Sequence, residues 1–229
     1  MVAHKRRIVT GLILGFWLLA APPFVHAEEN PTELRAKAEQ GDAESQVYLG
    51  SLYATGRAMP KDDAKAAFWF RKAAEQGRAD AQSHLAILYE TGRGVPQSDA
   101  QAAEWLRKSA DQGYAPAQNS LGWLYTTGRG VPQDDVRAAE LYRKAAVQGD
   151  TGALSLLSGA YQIGRGVPRN LVLAYACLDM AFRKGLSTAP MFRDDIGKKL
   201  SPAQLQEAQT LASSWSAGAP FPSETKTWP

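Results

Sequence analysis

Side chains able to start covalent or metal chemistry are few in this chain of 229 residues. There is one cysteine, Cys177, and three histidines, of which His4 and His26 fall in an N-terminal leader and leave His84 as the only mature one. A transition-metal site gathers several Cys, His or carboxylate ligands. No Cys/His cluster exists, so neither a metal nor another cofactor is expected. A lone cysteine cannot close an intramolecular disulfide. At helical spacing among Tyr175, Leu178 and Ala181, Cys177 reads as a small buried hydrophobe. A histidine-dependent triad would have to use His84, which reads as a solvent-facing residue of a helix.

Two motifs imitate chemistry. Ser223-Glu224-Thr225-Lys226 has the Ser-x-x-Lys spacing of serine β-lactamases, yet neither Ser-Asp-Asn nor Lys-Thr-Gly accompanies it. It lies in a stretch without periodicity and reads as coincidence. Gly92-Arg93-Gly94 resembles part of a phosphate loop. The dinucleotide fingerprint needs a third glycine and a preceding strand, and here Val95-Pro96 follows. The arginines of this loop recur as Arg57, Arg93, Arg129 and Arg165. Each is expected to answer a carbonyl or acidic group at its own turn. No catalytic residue is assigned.

The leader has three parts. Lys5, Arg6 and Arg7 begin it, an apolar run follows from Ile8 to Ala21, and Val25-His26-Ala27 supplies small or apolar residues before a cut after Ala27. This is the grammar of a secretory signal. The run is shorter than the roughly 20 residues of a spanning helix. The expected location is therefore periplasmic or secreted, with membrane attachment only if the segment is kept. The whole chain has 26 Lys+Arg and 23 Asp+Glu. Without residues 1–27 the two signs balance, which gives no electrostatic reason to expect nucleic acid or an anionic membrane as partner.

The elements that must position any site follow a period. Gly41, Gly77, Gly113, Gly149 and Gly185 stand 36 residues apart. Gly56, Gly92, Gly128 and Gly164 repeat in the same register, and so do Pro60, Pro96, Pro132 and Pro168. Such self-similarity marks units that bury their apolar faces on one another. In the second copy Ala81, Leu85, Leu88 and Tyr89 share one helical face, and Gly92 ends that helix. Asp62, Ser98, Asp134 and Asn170 stand where a second helix needs an N-cap. Gly50, Ala86, Gly122 and Ser158 form a column of small residues that admits a close neighbour. Tyr53, Tyr89, Tyr125 and Tyr161 form a column of wedges. The predicted fold is all-α, a right-handed α-solenoid of tandem helix-turn-helix repeats.

The expected organisation is a signal peptide over 1–27, a capping helix within 28–40 and repeats at 41–76, 77–112, 113–148 and 149–184. Capping helices follow over 185–215, then a disordered tail over 216–229. Ala117, Gln118, Leu121, Gly122, Leu124, Tyr125, Gly128, Gly130, Val131, Pro132 and Asp134, with Trp69, Lys72, Ala73, Ala74 and Gly77, carry a pattern that resembles the Sel-one-like repeat. That family is a relative of the tetratricopeptide repeat. Ala58 departs from it by replacing the second loop glycine, and Cys177 and Met180 replace its Trp and Lys in the last copy.

The resemblance implies a scaffold or adaptor for a protein partner, serving envelope, polysaccharide, motility or signalling machinery. The competing class is a β-lactamase-like or cell-wall-active enzyme. That activity is attributed to cysteine-rich members, whose cysteine pairs this chain lacks. A third reading is a structural subunit anchored by an uncleaved leader. A monomer is expected. The resemblance also places the first helices of each repeat along a concave groove. The columns that vary most there include Ser83, Ile87 and Glu90 in the second copy and Asn119, Trp123 and Thr126 in the third. Four and three residues apart, they share a stripe. Ile87 and Trp123 are expected as exposed anchors, and the alternative is that they pad a repeat interface.

Overall fold

A computed structural model describes residues 30–222, so the leader over 1–27 and the Ser223–Lys226 motif lie outside the described residues. Among them are eleven α-helices and no strand, the all-α solenoid class of tandem helix pairs. The chain divides into two compact units, 1–109 and 110–229. The first holds α1 (Pro31–Glu39), α2 (Ala43–Thr55), α3 (Asp63–Glu75), α4 (Ala79–Thr91) and most of α5 (Asp99–Asp111). The second holds α6 (Ala115–Thr127), α7 (Asp135–Val147), α8 (Thr151–Ile163), α9 (Leu171–Arg183), α10 (Ala189–Gly197) and α11 (Pro202–Ser214).

Local chemistry sets the helix ends. Gly56, Gly92, Gly128 and Gly164 adopt left-handed φ between 66° and 73°, the conformation that glycine takes without a Cβ penalty. The Asp62, Asp134 and Asn170 side chains accept bonds from amides three residues on, each at 3.0 Å, and Ser98 does so at 3.3 Å. Between the two helices the chain returns on itself. The amides of Asp62, Ser98, Asp134 and Asn170 donate to the carbonyls of Tyr53, Tyr89, Tyr125 and Tyr161 at 2.9–3.0 Å. The tyrosine column is thus also the anchor of the loop.

Packing within a pair follows size complementarity. A Cβ on Gly50 would lie 2.8 Å from the Phe70 ring, and one on Gly122 would lie 2.7 Å from the Tyr142 ring. Where the small column holds Ala86 or Ser158, the position twenty residues on holds leucine, Leu106 or Leu178. All four of those residues are buried. Ser158 donates to the Ala174 carbonyl at 2.7 Å, so its hydroxyl is not left bare. Burial pushes the Tyr142 phenol up to about 12. It pushes the fully buried Cys177 thiol up as well, which leaves it a core filler.

Polar side chains tie one repeat to the next. Gln46 and Gln82 donate to the Ala38 and Ala74 carbonyls at 2.9 and 3.1 Å, at the end of the preceding second helix. In the second unit Gln118 does the same for Ala110 at 3.3 Å. Each of these carbonyls also accepts from a backbone amide three residues on, that of Gly41, Gly77 or Gly113, so the glutamine adds a second bond that ties the next helix to the one before.

The C-terminal segment differs from expectation. Ser216–Pro222 has no helix, yet it is held against the second unit. The Gly218 amide donates to the Val147 carbonyl at 2.7 Å. The Trp215 and Phe221 rings meet at 6.4 Å, and the Lys184 ammonium lies 5.8 Å from the Trp215 ring. Disorder from Ser216 is therefore corrected as far as Pro222: two aromatics and one backbone bond hold what composition alone left loose.

Candidate interaction surfaces

The proposed stripe is split three and three between the units. In the first unit Ser83 and Glu90 are buried, 3% and 8% exposed, and Ile87 is half-buried. In the second unit Asn119, Trp123 and Thr126 are all half-buried. Asn119 donates to Asp150 at 3.0 Å, the carboxylate that also caps α8 by accepting from the Ala153 amide at 2.7 Å. Thr126 bonds the Gly122 carbonyl at 3.0 Å and the Tyr142 hydroxyl at 2.9 Å. In the first copy the whole stripe, Val47, Ser51 and Ala54, is buried.

Ser83, Glu90, Asn119 and Thr126 are therefore not free groove residues. Ser83 and Glu90 are taken up by burial, and Asn119 and Thr126 by Asp150 and Tyr142. Ile87 and Trp123 remain partly accessible, less than expected. The Arg129 guanidinium lies 5.0 Å from the Trp123 ring, a cation–π contact. His84 is also corrected. It is half-buried, with its ring 4.9 Å from Phe70, and burial holds its pKa below the usual imidazole value.

The arginine ladder has a different role from the one expected. Arg93 grips both carboxylate oxygens of Asp63, thirty residues earlier, and donates to the Ala54 carbonyl at 3.1 Å. Arg165 reaches Asp135 at 2.9 Å and the Thr126 carbonyl at 2.9 Å. These arginines answer groups of the preceding repeat, not of their own turn. The signal was present in the sequence. Asp63, Asp99 and Asp135 form a column that stops at Leu171, after which no further loop arginine follows.

Sequence reasoning missed a second feature, a polar cleft of about 330 Å³ between α9, α10 and α11. Its floor is one face of α9, carrying Tyr175, Asp179 and Arg183. Asp179 is buried, accepting from Arg183 at 2.9 Å and from Arg193 of α10 at 2.7 Å. Gln206 and Gln209 of α11 line the opposite wall.

With this geometry in place, comparison with known proteins is informative. The Sel1 repeat family matches residues 43–77, 79–114, 115–150 and 152–186, more than half of the chain. A Sel1 repeat protein from Oxalobacter formigenes is similar in structure, with a TM-score of 0.67 and 30% identity over 78% of this chain and 77% of that one. Another similar structure is c5321, a protective antigen present in uropathogenic Escherichia coli strains and displaying an SLR fold. Its TM-score is 0.54 and its identity 33%, over 79% of this chain and 47% of that one. None of the curated proteins compared with the chain matches it. Proteins built from such repeats are generally protein-interaction scaffolds and typically non-catalytic.

Proposed function

The chain belongs to the Sel1 repeat family, and from that premise we propose that it is an exported, non-enzymatic scaffold that holds a protein partner in the periplasm. The process it serves is one of envelope, polysaccharide, motility or signalling assembly. The observation that carries this reading is the Trp123–Arg129 pair. Asn119 and Thr126 on either side of Trp123 bond within the fold, while the indole stays partly accessible beneath a guanidinium. Tryptophan and arginine are the residue types that dominate interface hot spots.

Trp123→Ala is expected to weaken crosslinked capture of the partner in intact cells by about thirtyfold, the effect of losing a hot spot of about 2 kcal/mol. The melting temperature should move far less than in Tyr125→Ala, whose side chain is buried at every repeat except the first. Equal drops in the two melts would make Trp123 a core residue and sink the proposal. Export is tested separately. The intact mass of the protein from the periplasmic fraction should begin at Glu28, and recovery of Met1 in a membrane pellet would reverse the location.

A further inference from the structure

The cleft between α9, α10 and α11 is built from departures. At three positions of α9 the last copy abandons what the earlier copies hold. Ala67, Ala103 and Ala139 become Tyr175; Arg71, Arg107 and Arg143 become Asp179; Glu75, Asp111 and Val147 become Arg183. All three new side chains line one cleft. In earlier copies the arginine has a structural partner. Arg71 donates to the Tyr89 hydroxyl at 2.8 Å, and Arg143 to the Tyr161 hydroxyl at 3.4 Å. The corresponding position after the last copy is Gly197, so that duty has lapsed.

The replacement is not neutral. It is a buried carboxylate clamped by two arginines, and ion pairs of that kind are often no more stabilising than apolar residues of similar volume. Docking α10 alone does not call for it. What the arrangement does provide is a rigid polar floor, since each guanidinium is fixed by a charge-assisted bond. Arg183 uses its Nε toward Asp179, its side chain is 53% exposed, and Gln206 and Gln209 are exposed on the facing wall. Thr210 and Ser213 donate to carbonyls of their own helix, so the amides and Arg183 are the donors that face a ligand.

We propose that this cleft binds an acidic saccharide, with a uronate carboxylate on Arg183 and ring hydroxyls on Gln206 and Gln209. Small-molecule pockets are usually lined by apolar and aromatic groups. Here the lining is polar throughout apart from the edge of the buried Tyr175, so an apolar ligand or peptide side chain would gain little. A hydroxyl-rich ligand pairs with every wall. Arg193 is held between Asp179 and Asp194, whereas Arg183 engages Asp179 through its Nε and keeps its terminal nitrogens to grip a carboxylate, which favours an acid over a neutral sugar.

The test titrates the full chain with trigalacturonate, maltotriose and an acetylated tripeptide with a free carboxylate, read by chemical-shift perturbation or calorimetry. Saturable binding of trigalacturonate is expected, at least about tenfold tighter than either comparison probe. Arg183→Gln should weaken it by about tenfold or more while Asp179 keeps Arg193 and the melting temperature holds. Gln209→Ala should weaken it with the same unchanged melt. No saturable binding of the uronate, equal binding of the peptide or the neutral sugar, or undiminished binding by Arg183→Gln would each overturn the assignment. Because Trp123 lies outside the cleft, failure here leaves the scaffold reading standing, and failure there leaves this one.

Discussion

The loops of the first and second repeats have the same length and close the same way, yet they are under different constraints. In the second, Gly94 sits at φ +70°, and a Cβ there would overlap the Asp63 carbonyl. Arg93 beside it holds both Asp63 oxygens. The loop is a plug seated on the start of α3. In the first, Ala58 occupies the equivalent position at φ +62°, and Arg57 is exposed. Met59 joins Leu34, Ala38, Leu49 and Trp69, where Val95 is the equivalent of the second loop. The comparison separates two reasons for a loop glycine that sequence alone confounds. One is the left-handed backbone, which alanine tolerates under strain. The other is close approach of a second backbone, which it does not.

The largest effect should come from Gly94→Ala. Both reasons apply, so the loop must leave its seat and Arg93 must lose Asp63, and we expect a loss of about 3 kcal/mol or more in urea unfolding. A loss below about 1 kcal/mol would mean that the close approach does not constrain the residue. The converse substitution, Ala58→Gly, relieves the left-handed strain and meets only the added freedom of the unfolded chain. It should raise stability by about 1 kcal/mol, and a destabilised variant would break the comparison.

The smallest effect concerns pH. The Arg93 guanidinium holds the Asp63 carboxyl below the usual carboxylate range, with Lys61 also nearby at 3.7 Å. A lowered folded value contributes stability that is present above the unfolded value and lost as pH falls through the folded one. Asp63→Asn should therefore be less stable than the natural protein near neutrality. The gap should close as pH falls below about 4, the ordinary carboxylate value. A gap that stays constant down to pH 2 would show that the pair contributes through shape, not charge.

Much of the molecule was legible in its residues because the forces that specify it are local. A glycine that ends a helix, an Asp or Asn that caps the next and a tyrosine at the loop each act within about a turn, so a 36-residue period reveals them all. The pairing of Gly50 with Phe70 and Gly122 with Tyr142 was also readable, since both partners belong to one repeat. The stripe is less legible, because Asn119 bonds Asp150 and Thr126 bonds Tyr142, partners that lie outside its own helix and that copy-to-copy variation does not reveal.

What only the tertiary structure decided is how one repeat meets the next. The period states that the units are alike and is silent on the rotation and offset between them. That geometry is what brings Arg93 to Asp63 thirty residues back, Gln82 to the Ala74 carbonyl, and Arg193 onto Asp179. The residue types by themselves determined the helices, their ends and the repeat. Which charges meet, which variable side chains are buried and where a cleft opens followed from contacts between residues that lie far apart in the chain.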